Sequence, residues 1–341
     1  MVGFSEERLK PMFAVYATHA APDDPLTALK IGDLPEPEVP DGWVRVKISH
    51  ASLNRHDLFT LRGITGHPEG IAYPIILGND AAGTLDDGTP VVIYPMMGSG
   101  DWRGDETLDP GWHIPSEFIH GTFADYAVVP RRNAIPLPQG LSPVHASVLG
   151  TAWLTAYRAL MTKSGLRAGE MVLIQGATGG MATALIQLGR AAGFEIWVTS
   201  RSQEGQALAR SLGAHQTFAS NAPLPRKVLA VIDSIGADSW AHSMSSLARG
   251  GTLVAVGGTT GLDVPLHLLQ VIADQLTITG SIMGTLTDME HMIRLIASAG
   301  IEPEIGAVLP MERAEEGFRA MLEGHIRGKT VFTRHESESA S

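Results

Sequence analysis

Two rhythms of apolar and polar residues run along this chain, and the places where one gives way to the other mark its elements. Met171 to Gln175 (MVLIQ) is a short, mainly apolar run bounded by glycine, the pattern of a buried strand. Gly176, Gly179, Gly180 and Ala182 then break the run, and Leu185, Ile186 and Leu188 return at helical spacing. The prediction is strand, tight glycine turn, helix. A second short strand, Glu195 to Thr199, follows after that one helix, as a right-handed βαβ unit requires. The same reading gives a helix near Gln203 to Leu212 and a strand near Val228 to Asp233. Next come a helix with Trp240, Met244 and Leu247 on one face, and strands at Thr252 to Val256 and Leu276 to Thr279. Between Phe218 and Lys227 the chain is too short and Pro-rich for a crossover helix.

The N-terminal third has the other rhythm. In Trp43 to Ile48, Val44, Val46 and Ile48 alternate with Arg45 and Lys47, and Met12 to Tyr16 and Phe123 to Val129 also read as strands. Pro130, Pro136 and Pro138 mark a boundary, and Leu149 to Leu160 reads as a helix linking two domains along the floor of a cleft. Beyond Gly300 the chain is expected to return to the first domain, through an amphipathic helix at Met311 to Gly324 and a closing strand at Lys329 to Phe332. The expected class is α/β, a doubly wound parallel sheet beside a mainly β domain.

Composition narrows the chemistry. The 341 residues are 44% apolar and 18% charged, enough for two domains with cores. A net charge of −11 without a basic cluster argues against nucleic acid or an anionic membrane as partner. There is no cysteine, which excludes disulfides, thiol nucleophiles, thiolate zinc sites and iron–sulfur clusters. No run of about 18 apolar residues occurs and the N-terminus lacks a signal-like apolar stretch, so the expected location is the cytoplasm. The tail Arg334 to Ser341 is polar and expected to fray.

Glycines at a strand-to-helix turn let backbone approach a pyrophosphate, and the helix that follows presents unpaired N–H groups to the negative charge. Gly176, Thr178, Gly179, Gly180 and Met181 are thus the expected dinucleotide contacts. The end of the second strand decides which dinucleotide. An NAD site places an acid there for the ribose hydroxyls; here the residues are Ser200, Arg201 and Ser202. An Arg fork flanked by hydroxyls suits a 2′-phosphate, so NADP(H) is the expected cofactor.

Several motifs then coincide: Asn54-x-x-Asp57 with Arg62-Gly63, Pro74-x-x-x-Gly78-x-Asp80-x-Ala82-Gly83, and Leu154-Thr-Ala-Tyr157. Further along are Gly257-Gly-Thr-Thr-Gly261, Gly280-Ser-Ile-Met-Gly284 and Gly328-Lys-Thr-Val331. From about Met12 to Phe332 the chain resembles the medium-chain dehydrogenase/reductase superfamily. The resemblance implies a GroES-like catalytic domain at residues 1–139 and 298–341 and a Rossmann NADP-binding domain at 140–297. It also implies a homodimer edge at Leu276 to Thr279.

Departures from that pattern are informative. The catalytic zinc ligands of relatives would fall on Asn54, Asn79 and Thr151, none a good zinc ligand, so no zinc is expected. The structural-zinc lobe is replaced by Gly98 to Gly121, whose Asp101, Asp105, Glu106 and Asp109 read as a solvated acidic loop with surface histidines at His113 and His120. The zinc-independent branch includes quinone oxidoreductases and reductases of α,β-unsaturated carbonyl compounds. A small carbonyl or quinone substrate is therefore expected, with zinc-free alcohol or aldehyde oxidation and non-catalytic NADPH binding as the alternatives. By position, Asn54 would offer its amide to a substrate oxygen or the nicotinamide ribose, and Thr155 would lie beside the nicotinamide. Gly257, Gly258 and Thr259 would hold cofactor at the sheet's carboxyl edge. Lys329 would reach the phosphate region or stand solvated at a strand start. Phe59 stands where quinone-reductase relatives carry a tyrosine, leaving His56, Tyr94 or water as proton donor. Asp57 and Asp80 would hold loops around the cleft.

Overall fold

The computed structural model describes residues 10–66 and 69–334. The polar tail beyond Arg334 lies outside them. The first part of the chain is built from β1 (Pro11–Ala17), β2 (Leu29–Pro35), β3 (Trp43–Ser52), helix α1 (Arg55–Arg62), β4 (Ile75–Ile76), β5 (Asp80–Leu85), β6 (Pro90–Ile93), β7 (Tyr126–Pro130) and β8 (Ala134–Pro136). The middle part continues with α2 (Pro143–Ala146), α3 (Leu154–Arg158), β9 (Met171–Gln175), α4 (Gly180–Ala191), β10 (Glu195–Ser200), α5 (Gln203–Ser211), β11 (Gln216–Ala219), β12 (Val228–Asp233), α6 (Ala237–Ser246), β13 (Leu247–Ala255), α7 (Leu268–Asp274), β14 (Thr277–Gly280) and α8 (Leu286–Ala299). The chain closes with β15 (Ile305–Pro310), α9 (Ala314–Leu322) and β16 (Lys329–Thr333).

The middle strands form one parallel sheet in the order β11-β10-β9-β12-β13-β14, the doubly wound arrangement, with β9 at its centre. Every residue of β9 is buried, as its near-continuous apolar run requires of a strand covered on both faces. β16 joins the outer sheet in the order β15-β16-β3-β5-β6-β8, so the C-terminal strand returns to the first domain. Phe123, Phe318 and Phe332 are fully buried there, with Phe332 set edge-on to Phe123 at 5.1 Å between ring centres. Leu149–Lys163 runs as one helical rod, α3 flanked by wider π-type turns. Among the described residues no helix is long and apolar enough to cross a membrane.

Three sequence expectations need correction. Phe123 and Ala124 belong to the core but not to a strand, because β7 starts at Tyr126. Leu247 opens β13 and does not end a helix; it packs with Trp240 and Met244 from the strand side. β11 was unannounced by any alternation: half-exposed Gln216–Ala219 takes its place by parallel pairing to β10. The connection from β11 to β12 has no helix, as its composition predicts, and the His242 ring Nε2 hydrogen-bonds the Ala222 carbonyl at 2.8 Å to pin it.

Candidate active site

The glycine turn after β9 has the geometry a phosphate needs. Gly176 adopts φ +89°, a backbone region costly for any other residue. Gly179 is the N-cap of α4, which has no side-chain cap, and nothing stands within 4 Å of where its Cβ would be. The first-turn N–H groups of α4 thus face open space. The β16 end of the chain closes over the turn: the Gly328 N–H donates to the Thr178 carbonyl at 2.7 Å, and a Cβ on Gly180 would lie 2.6 Å from Lys329 Cδ. Met181 is half-buried at the same turn.

At the end of β10, Ser202 caps α5 by accepting from the Gly205 N–H at 3.0 Å, and the Ser200 hydroxyl accepts from the Ser202 N–H at 3.3 Å. Arg201 between them is exposed and has no carboxylate partner among the described residues. Two further arginines, which sequence reading passed over, add to its field. Partial desolvation, then repulsion from Arg62 and from Arg201, pulls the Arg55 guanidinium below its ordinary pKa. Arg62 Nε is buried without a hydrogen-bond partner. Arg55, repelled by both Arg62 and Arg201, sits in a positive field between α1 and the end of β10 that suits a polyanion. Gly257, Gly258 and Thr259 follow β13 at the carboxyl edge of the sheet, packed on the turn after β12, with the Thr259 hydroxyl donating to the Ser234 carbonyl at 3.2 Å. These features fit a dinucleotide phosphate.

The vacated metal position is filled by charge from the protein. Asp80, fully buried, accepts from Thr151 Oγ1 at 2.5 Å, Asn54 Nδ2 at 2.8 Å and Ser52 Oγ at 3.0 Å. Lys329 Nζ lies 3.4 Å from the same carboxylate and donates to Asn54 Oδ1 at 2.6 Å and the Leu53 carbonyl at 2.9 Å. The ammonium of Lys329 is therefore neither solvated nor aimed at the glycine turn: its stem crosses Gly180 and its head enters the former metal site. Burial lowers the Lys329 pKa, and Asp80 and Asp57 oppose that shift. A second cation beside this ammonium would meet like charge, and two amides and a hydroxyl are poor zinc donors, so the residues present do not fit zinc. Both amide hydrogens of Asn54 are engaged, one on Asp80 and one on the Ser52 carbonyl at 3.3 Å. Asn79 stands apart, its amide donating to the Pro115 carbonyl at 2.5 Å and to Ser116 Oγ at 3.1 Å. Thr155, buried, donates to the Thr151 carbonyl at 2.8 Å, one turn back along the rod.

Asp57 holds the mouth of α1, accepting from the N–H groups of Asn54 and Gly78, each at 2.8 Å. Burial pushes its carboxyl up to about 6, against those two N–H groups and His56. His56 itself is not isolated. Its Nε2 meets Glu117 Oε1 at 3.0 Å, and Glu117 is buried at 6% exposure on the turn that Asn79 holds through Ser116. Ser116 takes φ +67°, a strained value for a non-glycine residue, and Thr60 donates to its carbonyl at 3.2 Å. His56 Nδ1 is buried without a hydrogen-bond partner. The arrangement is an imidazole oriented by a carboxylate, with its second ring nitrogen uncommitted. Glu117 lies 61 residues from His56, so no local pattern announced it. Tyr94 offers no proton: its hydroxyl is tied to the Gly284 carbonyl at 2.9 Å and to Glu106 at 3.1 Å, and burial drives its pKa far up.

The loop replacing the structural-zinc lobe is not a solvated acidic loop. Buried Arg158 of α3 pairs with Asp105 and, at 2.7 Å, with Asp288 at the start of α8. Glu106 accepts from the Leu286 N–H at 2.6 Å and pairs with Arg132. Asp109, 2% exposed, accepts from the N–H groups of Ser99 at 2.7 Å and Gly111 at 2.8 Å. Asp105 and Glu106 therefore fasten the loop to the parallel-sheet domain and Asp109 braces it from within, while Asp101 stays exposed. His120 stays exposed at the surface, as expected, although its Nδ1 accepts from the Ile76 N–H at 3.2 Å and local desolvation lowers its pKa.

Comparison with known proteins agrees with this geometry. Residues 40–139 match the family described as alcohol dehydrogenase GroES-like domain, and residues 180–298 match zinc-binding dehydrogenase. A solved NAD-dependent alcohol dehydrogenase is 30% identical and superposes with a TM-score of 0.88, over 95% of this chain and 100% of that one. The chain belongs to the medium-chain dehydrogenase/reductase superfamily. Members of this superfamily are oxidoreductases that bind NAD(P). The chain is also 26% identical to acryloyl-coenzyme A reductase of Sulfurisphaera tokodaii, over 90% of this chain and 97% of that protein. It is 29% identical to quinone oxidoreductase of Mus musculus, over 84% and 87%. The name zinc-binding dehydrogenase is one this chain's donor set does not fulfil.

Proposed function

We propose that this protein is an NADPH-dependent reductase that delivers hydride, without zinc, to a quinone or α,β-unsaturated carbonyl acceptor. The observation that carries the proposal is the Lys329 ammonium, buried among Asn54, Leu53 and Asp80 where relatives place the metal. Zinc-dependent alcohol oxidation uses the metal to lower the alcohol pKa, whereas an activated double bond or a quinone accepts hydride with only orientation and a proton. The nicotinamide, when bound, supplies the hydride. The protein does the rest. Gly176, Thr178, Gly179, Gly180 and Met181 hold the pyrophosphate, and Arg201 with Ser200 binds the 2′-phosphate. Gly257, Gly258 and Thr259 fix the nicotinamide half beside Thr155. His56, aligned by Glu117, gives the proton. The Asp80 cluster, with Asn54, Thr151 and Lys329, keeps the floor of the cleft rigid and dry, so Asn54 acts as a positioning residue.

The test is NADPH and NADH consumption by chelator-treated protein with 1,4-benzoquinone, 9,10-phenanthrenequinone, an enone and a simple aldehyde. NADPH oxidation with a quinone or enone is the expected result. Turnover confined to the aldehyde, or cofactor binding with no turnover, would replace this reading by a zinc-free alcohol dehydrogenase or a binding protein. The same reading includes a homodimer joined along β14. That edge strand lies beside exposed Leu268, Leu269 and Ile272, an apolar strip a monomer would leave in water. Sedimentation at the monomer mass would refute it.

A further inference from the structure

A cleft of about 360 Å³ opens where the carboxyl ends of β13 and β14 meet the 98–121 loop. Val256 and Gly257 line it from β13, Ser281 and Ile282 from β14, Thr107 and Leu108 from the loop, and Lys163 from the end of the helical rod. Lys163 is the sole charged residue of that lining, and among the described residues it has neither a carboxylate nor a hydrogen-bond acceptor. Ser281 Oγ is buried without a partner. A folded protein seldom leaves a buried hydroxyl unsatisfied unless something outside the chain satisfies it. The remaining walls are apolar, and Leu108 and Ile282 stand 65% and 46% exposed at the rim. The loop wall is fixed, because Asp105 and Glu106, next to Thr107, are the residues fastened to Arg158 and to the start of α8.

We infer that the physiological acceptor is a short-chain carboxylate whose anionic end is bound by Lys163, with Ser281 as hydrogen-bond donor, while its carbon skeleton lies along Leu108 and Ile282. The inference rests on the reductase reading and names its substrate class. The volume suits a short acid: it is at the lower end of small-molecule sites, which span roughly 300–1,000 Å³. Carboxylate binding by one ammonium with hydroxyl support is a charge-assisted contact, which sets the expected effect at about 10-fold to 100-fold.

The experiment compares an enone acid, 4-oxopent-2-enoate, with its methyl ester and with crotonyl-coenzyme A, using NADPH and the full-length protein. The parent should prefer acid to ester in kcat/KM by about 10-fold or more, and Lys163→Met should bring that ratio close to one, mainly through KM. Lys163→Arg, which keeps the charge, should recover most of the preference and shows that loss in the methionine variant is not misfolding. An unchanged ratio in Lys163→Met, or a parent that favours the ester, overturns the inference. A parent that favours crotonyl-coenzyme A, with Lys163→Met impairing that substrate, reassigns the charge to a phosphate and overturns the carboxylate. If none of the three is reduced, calorimetry of the acid with NADP⁺-loaded protein separates the two questions. Binding that Lys163→Met removes upholds the anion site while the reductase reading fails, and no binding to the parent overturns the site as well.

Discussion

Replacing His56 with asparagine should lower kcat for NADPH-dependent reduction by about 100-fold to 10,000-fold, the range that a positioned general acid contributes. The NADPH dissociation constant should stay within about 2-fold. The effect follows from the pairing of His56 Nε2 with the buried Glu117 carboxylate at 3.0 Å. That pairing fixes the ring orientation and leaves Nδ1, which has no hydrogen-bond partner, as the atom able to deliver a proton. Asparagine retains a polar side chain of similar reach but cannot carry the proton. A purely structural histidine would lower stability without reshaping the pH profile. The decisive readout is therefore the pH profile of kcat, whose shape in the parent the asparagine variant should not reproduce. Glu117→Gln keeps the shape of the partner and removes its charge, so its loss should be intermediate, about 10-fold. If His56→Asn turns over as fast as the parent across the pH range, the proton comes from water.

The middle of the parallel sheet was legible in the sequence because β9 and β12 are short, nearly continuous apolar runs that begin and end where that pattern does. β11 was not legible, because an edge strand with half-exposed residues carries no burial signal and is specified by its neighbour β10. The strand–turn–helix unit at the glycines could be read because a turn that tight needs a residue free to take the φ of +89° that Gly176 adopts. Glu117, Arg158 and Lys163 could not, since each acts on a partner that only folding brings near: Glu117 on His56, Arg158 on Asp105 and Asp288, Lys163 on a cleft between two strand ends and a distant loop. Lys329 was found by its motif and misplaced in space. A motif fixes the backbone of a lysine, while its long stem lets the charge settle on whichever buried acid is within reach, here Asp80.

Arg201→Asp should weaken NADPH binding by about 10-fold to 1,000-fold, the scale of a charge-assisted phosphate contact replaced by repulsion. NADH binding should hold or improve, because an acid at the end of β10 can accept from the ribose hydroxyls that NADH leaves free. The breadth of the expected range has a structural source. Arg201 is not the single positive charge near the predicted 2′-phosphate: Arg55, on α1, lies close enough that burial, then Arg62 and Arg201, depress its pKa. Arg201→Ala should therefore cost less than the aspartate, about 10-fold, since Arg55 keeps the local field positive, and its residual NADPH affinity should fall as salt rises. Arg201→Ala combined with Arg55→Ala should reach the loss of Arg201→Asp without adding an acid. Fluorescence titration of NADPH and NADH at two salt concentrations reads all of these. NADPH bound by Arg201→Asp as tightly as by the parent would mean that the end of β10 does not select the cofactor, and the preference for NADP(H) would have to be given up.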